Sequence, residues 1–337
     1  MKFGLMPAAA VQYPREVSPA SCLNDCLEQV GLAKAGGFDS IIVGQTPLCE
    51  PFYTLHPVPV LGRIAAESGQ MRIGTGVLLL PLLNPVDVAE YVATLDIITG
   101  GRFIFGIGLG YREVETRIFG IAHEERASRL EEALEIITKL WEGSEISFRG
   151  KYYSYDRLKA TLRPLKKPPI WLGANGDKAI RRAALIADAW MAPPHNSFST
   201  LQRQMALYHE ALKDNGKDFP PADLPIIKEL HMAENSEKAI QEARPFLERK
   251  YKTYISWGQD KALVHGDSFK VPFEQFISDY RFVLGNADYC IDIIDKHAKL
   301  GFNHIVLRVQ WPGFPHNLAM RTIRLFSEKV IPYFMEK

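Results

Sequence analysis

The chain has 337 residues, 47% hydrophobic and 23% charged, with a formal net charge of +1. That size and composition suit one large soluble α/β domain or two ordinary ones. The near-neutral balance, without a sustained basic face interleaved with aromatics, argues against nucleic acid as a partner, and no stretch reaches membrane-spanning length without a charge or a break.

Phe3 to Met6 reads as a short first strand, and Pro7 to Pro19 as a loop. Cys22 to Ala35 is an amphipathic helix closed by Gly36-Gly37, and Phe38 to Val43 is the second strand. Tyr53 to Glu67 includes a helix that Pro57 and Pro59 help to start. Ile73 to Leu80 is almost wholly apolar, as a strand buried on both faces should be, and Pro81 and Pro85 end it. A helix from Val86 to Ile98 follows, stopped by Gly100-Gly101. Phe103 to Ile107 is the fourth strand, closing in alternating Gly106, Gly108 and Gly110. Glu113 to Trp141 is helical in two pieces broken near Gly120, and Phe148 to Tyr155 is a small hairpin insertion.

Ile170 to Leu172 is a fifth strand, Asp177 to Ala187 a helix, and Ala189 to Met191 a sixth strand ended by Pro193-Pro194. Leu201 to Lys213 is helical and Leu224 to His231 is a seventh strand. Ser236 to Tyr254 is helical despite Pro245, and Ile255 to Phe273 reads as a polar loop. A helix restarts at Gly285-Asn286-Ala287-Asp288 and runs to Leu300. His304 to Val309 is the eighth strand, and Asn317 to Phe334 the final helix. Eight strands alternating with helices predict a (β/α)8 TIM barrel with insertions, one domain over residues 1–337 with a lid near 255–273. A doubly wound open sheet is the alternative, because alternation alone does not show closure.

In parallel α/β folds, ligands sit at the carboxyl ends of the strands. Gly106-Ile-Gly108-Leu-Gly110 stands at such an end, but the third glycine of the dinucleotide fingerprint is replaced by Tyr111 or Glu113. A glycine backbone there lets a flat ligand approach closely, with Tyr111 placed to stack on it or hydrogen-bond it; a core-edge tyrosine is the plainer reading. Gly173-Ala174-Asn175-Gly176 opens a helix and makes an anion cradle, with Lys178, Arg181 and Arg182 in the following turns; an ordinary turn and N-cap is the alternative. Arg308-Val-Gln310-Trp311-Pro-Gly313 ends the last strand, where polar groups point at the active face; a structural Trp-Pro corner is the plainer reading. Tyr111, Arg308 and Gln310 are therefore the candidate catalytic residues. Four cysteines form no disulfide framework, Cys22 and Cys26 have no partners at metal spacing, and no metal is expected. Without a signal-peptide pattern, the cytoplasm is the expected location.

Four stretches carry a resemblance: Gly74-Thr-Gly-Val-Leu-Leu-Leu-Pro-Leu-Leu-Asn84-Pro85, Gly100-Gly-Arg-Phe-Ile-Phe-Gly-Ile-Gly-Leu-Gly-Tyr111, Trp171-Leu-Gly-Ala-Asn-Gly176 and Ala187-Asp-Ala-Trp190. With Arg129 to Ile137 and Leu300 to Val306, they resemble the bacterial luciferase-like monooxygenase superfamily across nearly the whole chain. The resemblance implies a (β/α)8 barrel that binds FMN, or the deazaflavin coenzyme F-420, at the carboxyl ends of the strands. By position, Gly76 and Val77 would back the ring system, with a cis peptide between them. Asn84, Gly108, Gly110, Tyr111, Gly173, Ala174, Asn175 and Gly176 would hold the ring edge, ribityl chain and phosphate. Some members carry a histidine just after the second strand, where this chain reads Val43-Gly44-Gln45, so their general base does not transfer. The first expectation is a monooxygenase using reduced FMN supplied by a separate flavin reductase. The alternatives are an F-420-dependent hydride-transfer dehydrogenase or reductase, and a non-catalytic flavin-binding protein. A homodimer is expected.

Overall fold

The computed structural model describes residues 1–264 and 266–336. Nine strands among them form one curled parallel sheet: β1 (Lys2–Met6), β2 (Ser40–Val43), β3 (Arg72–Thr75), β4 (Phe103–Gly108), β5 (Ile170–Gly173), β6 (Ala189–Met191), β7 (Pro225–Met232), β8 (Phe282–Gly285) and β9 (His304–Arg308). Their order is β6-β5-β4-β3-β2-β1-β9-β7-β8. Neighbouring strands lie far apart in sequence wherever β1 meets β9, with Lys2 opposite His304 and Met6 opposite Arg308. The β6 flank reaches back to β7 through one parallel bridge, Ala192 to Ile226. There Ala192 donates to the Pro225 carbonyl at 2.9 Å and Ile227 donates to the Ala192 carbonyl at 3.1 Å.

Every residue of β4 and β7 is buried, as expected of strands covered on both faces. Helices such as Pro85–Ile98 and Arg126–Glu142 cover the outside, and Trp141 donates its indole N–H to the Ala89 carbonyl at 3.1 Å. At the amino ends of the strands the interior is polar. His304 bonds Ser40 at 2.8 Å, and Asp223 takes ion pairs from Lys2 and Arg72, both at 2.7 Å. This plug lies opposite the carboxyl ends and is structural. Among the described residues, no helix is long and apolar enough to cross a membrane.

Three expectations change. The third apolar run is not one strand: β3 stops at Thr75, Leu78–Leu79 pairs separately with β4, and Leu80–Leu82 is a 3-10 turn, while the Gly76–Val77 peptide is cis as expected. The segment expected as a polar loop carries some regular structure and buried aromatics. The helix Ser236–Ser256 runs on into it, a 3-10 turn forms at Gln259–Ala262, and Phe269 and Phe273 are buried. β8 is an additional strand, paired with the carboxyl-terminal half of β7, formed by the apolar Phe282-Val-Leu284 ahead of Gly285.

Candidate functional site

The carboxyl ends of the strands surround a cavity of about 950 Å³. Met6, Gly44, Gly76, Gly108, Gly173, Met191 and Arg308 bring seven of the strands to its wall. That convergence follows from the parallel topology, which gathers strand ends of one polarity on one face.

Val77 is the centre of one wall. A Cβ on Gly108 would stand 2.6 Å from one Val77 methyl, and one on Gly173 would stand 2.9 Å from the other. These two glycines therefore make room for Val77, rather than only for a ligand. Gly110 is glycine for another reason, its φ of +71°. Gln45, at the position after the second strand, braces this wall. Its N–H bonds the Val77 carbonyl at 3.0 Å, and its side-chain oxygen accepts from the Leu79 N–H at 2.9 Å.

The turn after β5 forms another wall. Gly176 precedes the helix Asp177–Ile186, whose start has no side-chain cap, and no atom lies within 4 Å of where a Gly176 Cβ would stand. Helix-start N–H groups without a side-chain cap suit an anion. The turn is pinned from behind. The Trp190 indole donates to the Ala174 carbonyl at 2.8 Å, and Gln204 donates to the Asn175 carbonyl at 2.5 Å. The Asn175 amide oxygen accepts from Asn196 at 2.7 Å, and its nitrogen donates to the Ala262 carbonyl at 3.1 Å. Asn175 thus ties the Gln259–Ala262 strap to the cavity rim. Trp257 ties the strap to the loop after β2, through a 2.9 Å hydrogen bond to the Glu50 carbonyl and the Arg112 guanidinium over its ring at 4.5 Å.

The remaining lining mixes apolar residues with a polar group of side chains. Gln12, Tyr111, His195, Tyr254 and Arg308 line it together, with the Tyr254 hydroxyl 3.4 Å from the Gln12 side-chain oxygen. Behind Arg308 lies a fully buried carboxylate, Glu229. It accepts from Lys250 at 2.5 Å, Arg308 at 3.1 Å, Tyr251 at 3.3 Å and the Trp311 indole at 2.6 Å. Burial works to raise the Glu229 carboxyl, but Lys250 and Arg308 hold it below the usual range. Burial, reinforced by Arg308, pushes the His195 imidazole down to about 3, so it stays neutral. Burial pushes the Tyr111 and Tyr254 phenols up, so both remain protonated donors. Next to the lining residue Arg112, burial lifts the Glu115 carboxyl to about 7 against their 3.2 Å ion pair.

The structure brings Gly76, Val77, Gly108, Gly110, Tyr111, Gly173, Ala174, Asn175, Gly176 and Arg308 to one cavity. Two candidates lie elsewhere. Asn84 is exposed and caps the helix Pro85–Ile98, its side-chain oxygen accepting from the Val86 N–H at 2.8 Å. Gln310 is buried off the cavity, accepting from Gln29 at 3.1 Å and donating to the Phe314 carbonyl at 2.6 Å. Both assignments are corrected to structural roles. Sequence reasoning missed His195, Tyr254 and Gln12. Only His195 carried a signal, standing directly after the Pro193-Pro194 that ends β6.

A family model described as luciferase-like monooxygenase matches residues 1–304. The F-420-dependent glucose-6-phosphate dehydrogenase of Nakamurella multipartita is 27% identical over 317 residues, 89% of this chain and 89% of that protein. Monooxygenase RslO1 from Streptomyces bottropensis shares the fold, with a TM-score of 0.86 at 24% identity over 99% of this chain and 100% of that one. An F-420-dependent secondary alcohol dehydrogenase, solved with an F-420-acetone adduct, does so with a TM-score of 0.78 at 21% identity over 98% of both. The first expectation, a reduced-FMN monooxygenase, does not survive. Relatives of about 25–27% identity over 80–92% of this chain are dehydrogenases named for F-420, while a flavin-dependent trigonelline monooxygenase component of Acinetobacter baylyi aligns at 22%.

Proposed function

The chain belongs to the luciferase-like monooxygenase family, and within it we propose that it is a coenzyme F-420-dependent oxidoreductase that oxidises an alcohol by hydride transfer, or reduces the corresponding carbonyl. The observation that carries this reading is the alignment with F-420-dependent glucose-6-phosphate dehydrogenase over 89% of each chain. The cavity fits such a group: an uncapped helix start at Gly176 with open space beside it suits a phosphate, and the Val77 wall suits a flat ring. We also infer a closed (β/α)8 barrel, supported by the bridge between Ala192 and Ile226.

On this reading, the backbone from Gly173 to Gly176, with Lys178, would hold the cofactor phosphate, and Gly76 and Val77 would back the ring. Gly108, Gly110 and Tyr111 would border the ring edge. When bound, the deazaflavin supplies a two-electron hydride acceptor. The protein's own part is orientation and exclusion of water. The strap Gln259–Ala262, fastened by Asn175, covers the rim. The protonated Tyr111 and Tyr254 phenols and the neutral His195 offer hydrogen bonds that fix a substrate hydroxyl or carbonyl.

Fluorescence titration of the purified protein with F-420 and with FMN tests the reading. F-420 should bind at least about tenfold more tightly, a difference of about 1.4 kcal/mol. Equal affinities, or tighter FMN, would sink it. With F-420 bound, a panel of alcohols should include one that bleaches the deazaflavin absorbance.

A further inference from the structure

Arg308 is a guanidinium with more donors than partners. Its Nη1 donates to Glu229 at 3.1 Å, its Nη2 meets Met6 Sδ, a weak acceptor, at 3.6 Å, and its Nε has no hydrogen-bond partner among the described residues. Five N–H groups need acceptors, and donors left unmatched away from water are costly. Glu229 is already shared among four donors: its Oε1 takes Lys250, Tyr251 and Arg308, and its Oε2 takes the Trp311 indole. The cluster holds two cations against one carboxylate. Burial and Arg308 together push the Lys250 ammonium down to about 7, as expected where positive charge is in excess. Arg308 also lines the cavity, beside His195, which is buried with an unpartnered Nδ1.

We propose that Arg308 anchors a carboxylate of the substrate, so that this site takes a small alcohol or ketone bearing a carboxylate. The proposal rests on the reading of the cavity as the substrate site. A carboxylate at Arg308 supplies the missing oxygen acceptors and offsets the excess charge. Charge-assisted bonds to a mostly buried guanidinium are stronger than neutral ones. The Tyr111 and Tyr254 hydroxyls then provide neutral donors for the reacting oxygen, separating the anchor from the reaction centre.

Calorimetric titration with benzoate and with its uncharged isostere benzamide, at fixed ionic strength, tests this without knowledge of the substrate. Wild-type protein should bind benzoate at least about tenfold more tightly than benzamide, the scale of one charge-assisted bond. Arg308→Gln should remove that preference. Should Arg308→Gln fail to fold, Arg308→Met, which fills the space and leaves the Glu229–Lys250 pair in place, should also lose the preference. Equal binding of the two probes by wild type overturns the proposal, and so does a benzoate preference that survives loss of Arg308. F-420 titration is scored separately. Benzoate preference without F-420 binding supports the anion subsite while ending the cofactor assignment.

Discussion

Val77 takes the space that side chains at Gly108 and Gly173 would need, so the three residues act as one unit. Gly108→Ala would drive a methyl to within 2.6 Å of Val77 and push that side chain into the cavity. F-420 affinity in Gly108→Ala should fall by at least about tenfold, and the double variant Val77→Ala/Gly108→Ala should recover much of the loss. Failure of the double variant to recover any would show that the glycine serves the ligand directly. Gly176 is the contrasting case. Its φ is −80° and the space beside it is open, so Gly176→Leu should fold normally. Its F-420 affinity should nevertheless drop severalfold in the same titration, and unchanged affinity would remove the phosphate from that turn. The glycines were legible as a site because alternating glycine at a strand end is unusual. What each one faces was not legible, because Val77 reaches Gly108 and Gly173 across the sheet. Asn84 and Gln310 misled for the same reason: a cap and a buried amide bridge look like polar site residues until their partners are seen.

At the level of the element, β7 carries buried charges that its pattern concealed. Leu224 to His231 read as a strand, but the burial of Lys228, Glu229 and His231 within it was invisible. Charges inside a two-sided strand are legible only as exceptions to an apolar run. Lys228 donates to the Tyr280 carbonyl at 2.7 Å, in the turn that leads to β8. Burial, with Arg281 adding to it, pushes its ammonium from 10.5 down to about 7. Between those values the unfolded chain holds a proton at this site that the folded chain lacks. The cost is fully present below about pH 7 and fades as pH rises towards the unfolded value, so this lysine makes stability climb with pH in that window. Lys228→Met should flatten the climb. Denaturant titrations between about pH 7.5 and 8.5 should show up to about 1.4 kcal/mol less gain per pH unit than wild type. An unchanged slope would mean that Lys228 stays charged in the folded state. β8 itself was missed because three apolar residues ahead of a glycine are too short a pattern to separate from a helix entry.

At the level of the whole molecule, alternation of strand and helix was legible because each strand is a compact apolar run bounded by glycine or proline. How the ends of the sheet meet was not legible, since pairing between distant segments leaves no local pattern. The structure puts that junction at the functional cavity. β6 and β7 communicate through Ala192 and Ile226, with hydrogen bonds at Ala192 N and Ile227 N, whereas β7 and β9 share a register of five residue pairs. A ladder of one bridge opens at lower free energy than a ladder of five pairs. Without ligand, the amides of Ala192 and Ile227 should therefore exchange with deuterium faster than those of Ile305 to Leu307. Met191, Ala192 and Ile227 all line the cavity, from both sides of the junction. A ligand bound there contacts both flanks and stabilises only the state in which they are together, by RT ln(1 + [L]/Kd), or about 2.7 kcal/mol at a hundredfold excess over Kd. Saturating F-420 should slow exchange at Ala192 and Ile227 more than at the plug around Ser40 and His304, which the ligand does not reach. Uniform slowing everywhere would indicate global stabilisation alone, and no slowing at the junction would place the cofactor away from β6 and β7.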